Sequence, residues 1–188
     1  MKSENKGINN LIDILAIDEI MKKNNQYNTT DSDLWRSIDL AFDCGKDQSI
    51  EYGYTHCNSL SFYTICYARG FIQFHYSTWL KRLYSEGLVS REGYLQDKLK
   101  IAKFFAFDDE FSELKYFYDY DDCMNAVYLD KDKAYNIKVE SNSGHGFHFM
   151  AAYVFAERLF LSDSSGRGIC VLAEDLIPKN KFKWILEV

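Results

Sequence analysis

The chain has 188 residues, 47% of them hydrophobic and 27% charged, with 14 Phe, 14 Tyr, one Pro and a net charge of −6. That composition fills the core of one ordinary domain, here spanning 1–188, and argues against long disorder or low-complexity linkers. The acidity disfavours nucleic acid as the main partner, because phosphate binding needs a basic surface.

In chain order, apolar spacing from Ile8 to about Lys23 predicts an amphipathic helix. A polar loop follows, and Asp31 or Ser32 is placed to cap a helix carrying Leu34, Trp35, Ile38, Leu40 and Phe42. Gly45 to Gly53 reads as a loop leading to Cys57. From Ser59 to Arg69 apolar residues occupy every side of the helix, which predicts burial all round, with Gly70 as the stop signal. Further helices are expected from Ser77 to Ser85, stopped by Gly87, and from Gly93 to Phe105. Ala106 to Asp122 reads as irregular. The last third changes character: Ala126–Leu129, Tyr135–Val139, Phe147–Phe155, Leu159–Leu161, Ile169–Leu172 and Phe182–Leu186 read as strands. Helices first (about 8–122) and an antiparallel sheet after (about 123–188) make an α+β layout.

The cysteines Cys44, Cys57, Cys66, Cys123 and Cys170 are irregularly spaced and form no zinc-type pairing. Reduced thiols in the cytoplasm are the simplest reading. Met1–Gly7 leads into a mixed helix and not an apolar signal core, and no run approaches transmembrane length, so no membrane contact is expected. His145 and His148 lack a third ligand, and Asp119, Asp121 and Asp122 lack the glycine and glutamate of a calcium loop, so no metal and no cofactor are expected.

Two stretches carry chemistry. Cys57 stands at the start of the buried helix, where free backbone N–H groups and the helix dipole favour a thiolate and the Cys57 N–H can serve an oxyanion. His148 and Asp163 lie on consecutive strands. A two-residue loop at Phe155-Ala156 sets them directly opposite; a loop at Ala156-Glu157 makes the pair diagonal but keeps one face; a three-residue loop would put them on opposite faces. Met150, Ala152, Val154, Leu159 and Leu161 then share that face and pack beneath the pair. A nucleophilic thiol facing an imidazole held by a carboxylate is the outcome if these stretches meet. The bland alternative is a structural thiol and a core histidine. Trp79 to Gly93 also has the outline of a recognition helix with a wing, which would suit a winged-helix DNA binder.

Cys57 through Gly70, Gly146-Phe147-His148 and Leu161-Ser162-Asp163 resemble papain-like cysteine peptidases, most closely the branch with the bacteriocin-processing, double-glycine peptidases. The chain is also similar to uncharacterised papain-like proteins of phages and mobile elements. The likeness runs from roughly Gln48 to Gly168. It implies a papain-like fold, with the nucleophile-bearing helix packed on the C-terminal sheet, and hydrolysis of a peptide or amide bond in a peptide or protein substrate. Cys57 would be nucleophile, His148 general base and acid, Asp163 the orienter. The family's oxyanion glutamine falls at Glu51 here, leaving Gln48 as the substitute, and Asn58 replaces the usual glycine after the nucleophile. Those departures favour the rival reading of a catalytically silent binding module. A peptidoglycan amidase is a further alternative.

Overall fold

The computed structural model describes residues 11–24, 56–72, 74–105, 113–142, 144, 146–165 and 169–188. The elements are helices α1 (Leu11–Lys23), α2 (Cys57–Ala68), α3 (Tyr76–Ser85) and α4 (Lys98–Phe105), strand β1 (Lys115–Phe117), helix α5 (Tyr120–Met124), strands β2 (Ala134–Glu140), β3 (Phe147–Phe155), β4 (Arg158–Asp163) and β5 (Ile169–Leu172), the short helix α6 (Ala173–Leu176), and strand β6 (Phe182–Glu187). The strands form one antiparallel sheet in the order β1-β6-β2-β3-β4-β5. None of the described helices is long and apolar enough to cross a membrane.

Strand alternation splits the core in two. One face of the sheet offers Ala134, Ala151, Tyr153 and Leu186 to α1–α4, against Ile17, Leu60, Phe62, Ile65, Trp79 and Ile101. The other offers Tyr135, Ile137, Met150, Ala152, Val154, Leu159 and Leu161 to Cys123 of α5 and Ala173 of α6. Neighbouring residues of β3 thus serve opposite cores, which is why this strand reads as a near-continuous apolar run. Helix α2 buries Leu60, Phe62 and Ile65 completely, each worth about 1.5–3 kcal/mol of transfer free energy. Its end is set at Gly70, where φ is +75° and glycine has no Cβ to clash. α1 is tied to β4 by the Ser162 hydroxyl, which donates to Asp18.

Several expectations are corrected. Gly93 does not begin a helix: Val89 pairs with Leu95 across a small turn, and α4 starts at Lys98. Lys115–Phe117, in the stretch read as irregular, is an edge strand on β6, so the sheet recruits chain from the first two-thirds. Tyr120–Met124 is a helical turn capped by the Asp119 carboxylate, which accepts the Asp122 N–H at 2.9 Å. Ala126–Leu129 is a turn and not a strand, with Ala126 at φ 53°. The helix expected after Asp31 lies outside the described residues. The outline of a helix with a wing does occur in α3 and the Val89–Leu95 turn, but α3 spends Trp79, Leu80 and Leu83 on the shared helical core.

The β3–β4 hairpin turns at Ala156-Glu157, with Phe155 opposite Arg158, and not at Phe155-Ala156. Both turn residues have positive φ, 48° and 63°, the geometry of the tight turn that matches strand twist. Met150 therefore faces Asp163, and His148 sits diagonal to it on the same face.

Candidate active site

β4 stops pairing at Met150–Asp163, so the first residues of β3 have no β4 neighbour. The gap is taken by the N-terminal turn of α2. Ser61 Oγ donates to the carbonyl of Phe149 at 2.9 Å and to that of Cys57 at 2.7 Å, and Ser164 Oγ also reaches Phe149 O at 3.4 Å. Cys57 is one helical turn before Ser61 and on the same side of the helix. α2 thus packs on the Ala151–Tyr153 face, yet its first turn comes round the end of the sheet to the ring of His148.

There the three side chains expected from sequence are joined. His148 Nε2 lies 2.6 Å from Asp163 Oδ1. The Cys57 thiol lies close enough to the ring to help raise its pKa. Asp163 is 6% exposed and accepts the Ser165 N–H at 2.8 Å on the same oxygen. Burial alone would push the His148 pKa down. The hydrogen bonds to Asp163 and Cys57, and the negative charge each can carry, raise it to about 10. Burial works to raise the Asp163 pKa, but the His148 hydrogen bond and charge and the Ser165 contacts outweigh it and hold it below the usual carboxylate value. The pair is a buried carboxylate orienting an imidazolium beside a thiol.

The start of α2 sets Cys57 at the positive end of the helix dipole. His56 precedes Cys57 without capping the helix through its side chain, and the first turn holds no acidic residue. The His56 carbonyl accepts both the Leu60 N–H at 2.9 Å and the Ser59 hydroxyl at 2.8 Å, and Ser59 Oγ is also 2.9 Å from the Tyr76 hydroxyl, so helix entry is fixed by buried polar contacts. Cys57 itself is 5% exposed. The remaining described cysteines, Cys66, Cys123 and Cys170, are also free thiols, and burial pushes Cys66 and Cys123 up to about 12. Gln48, Glu51, Cys44 and His145 lie outside the described residues. No group of three or more potential metal ligands occurs among the described residues; Asp119 caps α5 and Asp121 pairs with Lys179.

Two residues that the sequence did not single out stand beside the site. Lys98, at the head of α4, places its ammonium 5.6 Å from the Phe62 ring, 5.0 Å from Phe149 and 4.8 Å from Trp184, and bonds Asn136 Oδ1. Lys138 of β2 lies 3.7 Å from the Phe147 ring, 5.8 Å from Phe149 and 5.7 Å from Trp184. A lysine opening an amphipathic helix and a lysine within a strand both read as solvent-facing, so no spacing rule could have found them. The signal would have been register, since Lys138 pairs with Phe149 on one side and Trp184 on the other.

Set against known proteins, the chain matches no family model, no curated protein and no solved structure.

Proposed function

We propose that this chain is a papain-like cysteine hydrolase that cleaves a peptide or amide bond. The observation that carries the reading is the Asp163 carboxylate 2.6 Å from His148 Nε2, with Cys57, the first residue of a helix, near enough to the ring to raise its pKa. In the reaction, Cys57 acts as the thiolate of a thiolate–imidazolium pair, its proton already on His148, and the sulfur attacks the carbonyl carbon. The Cys57 N–H, with Gln48 as the candidate second donor, takes the developing oxyanion. Collapse of that intermediate breaks the C–N bond as His148 returns its proton to the departing amine. Water, losing a proton to His148, then opens the thioester; the acid leaves and the thiol is restored. No cofactor enters these steps.

The test is to incubate the protein with a mixed peptide library and sequence the new termini by mass spectrometry. The wild type should generate cleavages absent with Cys57→Ala and with His148→Ala. Identical products from all three would overturn the reading.

The rival, a catalytically silent binding module of the same fold, draws on Glu51 at the position where the resembled family carries its oxyanion glutamine. If Glu51→Gln lowers the measured Cys57 thiol pKa greatly, the carboxylate opposes the thiolate and the rival gains.

A further inference from the structure

The sheet face against which α2 packs holds two ammonium groups on an aromatic floor. Phe147 and Phe149 flank His148 in the chain, and both rings lie under the Lys138 ammonium. Phe149 and Trp184 lie under Lys98 as well. Lys98 also contacts Phe62 of α2, the helix that carries Cys57. The nearby Glu140 carboxylate is taken by Lys183. Among the described residues neither Lys98 nor Lys138 forms an ion pair. Two partly desolvated cations sharing two rings repel one another, and ring faces compensate only part of that cost.

We propose that Lys98 and Lys138, over Phe147, Phe149 and Trp184, form a substrate subsite that binds a carboxylate beside the scissile bond. This rests on the hydrolase reading and names the substrate class of that site: a peptide carrying an acidic side chain, or a free terminal carboxylate, next to the bond attacked by Cys57. The rings accept the apolar part of such a residue and the two ammonium groups accept its charge.

The electrostatics of Lys98 suit an anion-binding role. Burial first, and then Lys138, bring its pKa down to about 7, with Cys57 and Cys66 acting the other way. Lys138 is itself lowered, by burial and by Lys183. A carboxylate arriving between them favours the charged form of Lys98, so binding above neutral pH should be accompanied by proton uptake.

The experiment compares alkylation of Cys57 by iodoacetate, an anion of the proposed chemistry, with alkylation by neutral iodoacetamide, followed by peptide mapping. The iodoacetate-to-iodoacetamide rate ratio, normalised to the denatured chain, should exceed unity and fall in high salt. His148 is also a cation there, so Lys138→Gln is the deciding variant. It should cut the ratio about threefold to tenfold while the iodoacetamide rate holds. An unchanged ratio with rapid iodoacetamide labelling overturns the subsite and leaves the hydrolase reading standing. Loss of selective Cys57 labelling in the wild type removes both. With the ratio lowered, protection of Cys57 by acetyl-glutamate amide marks a side-chain carboxylate, and protection by acetyl-glutamine free acid marks a terminal one.

Discussion

Met150 faces Asp163 across β3 and β4, so the carboxylate meets His148 along the diagonal of the ladder and not across a rung. The diagonal reach follows from the turn at Ala156-Glu157, where two residues with side chains hold the left-handed conformation that glycine and asparagine adopt most readily. Replacing Ala156-Glu157 by Asn-Gly should therefore stabilise the fold by roughly 1–2 kcal/mol, read as a higher urea midpoint, with cleavage unchanged. A loss of stability would mean that the turn is not as described.

Asp163→Asn keeps the shape but removes the charge that helps hold His148 protonated. Turnover should fall by about 10²–10⁴-fold, the range seen when an orienting carboxylate is neutralised. The His148 pKa, followed by NMR, should drop from near 10. Unchanged turnover would remove Asp163 from the site.

The thiols should separate in reactivity. Cys66 and Cys123 are buried and pushed up to about 12, so a brief iodoacetamide pulse at mildly acidic pH should leave both unmodified. Cys57, beside the His148 imidazolium, should be labelled ahead of exposed Cys170 as well, and His148→Ala should abolish that lead. Equal labelling of Cys57 and Cys170 in the wild type would count against an activated nucleophile.

Protons also link this site to stability. His148 is raised from 6.5 to about 10, so its contribution is complete below pH 6.5 and is lost as pH climbs towards 10. Asp163 is lowered from 3.8, so its contribution holds above that value and is lost as pH falls through the folded value. Lys98, lowered from 10.5 to about 7, runs opposite to His148: its burial penalty fades as pH rises above 7. Between about pH 6.5 and 8.5 the stability of His148→Gln should rise relative to that of the wild type, with a slope of up to about 1.4 kcal/mol per pH unit. Urea unfolding across that window reads the difference, and parallel curves would refute the raised His148 pKa.

Gln48 carries a prediction from sequence alone. If it supplies the second oxyanion donor, Gln48→Ala should lower turnover by about 10²–10³-fold with KM and the urea midpoint nearly unchanged.

The elements that carry Cys57 and His148 are legible in the sequence because each sits in a locally decisive pattern. The helix from Cys57 ends at Gly70, and the apolar stretch Phe147–Phe155 is strand from end to end. The hairpin register is not legible, since Ala156 and Glu157 are not residues that advertise a left-handed turn. β1 escapes a sequence reading because three residues at the sheet edge, Lys115, Tyr116 and Phe117, gain strand character only from β6. Lys98 and Lys138 become visible only once register places Lys138 between Phe149 and Trp184.

The end of β3 has one more consequence. Had β4 continued past Asp163, another ladder bond would have added roughly 1 kcal/mol and closed the edge against which the start of α2 now rests. Chain zipping and thiol–imidazole contact are therefore mutually exclusive uses of the same short length of backbone. Where Ser164 turns away, the protein leaves a sheet unfinished, and the N-terminal end of α2 occupies the space that an additional strand residue would have filled.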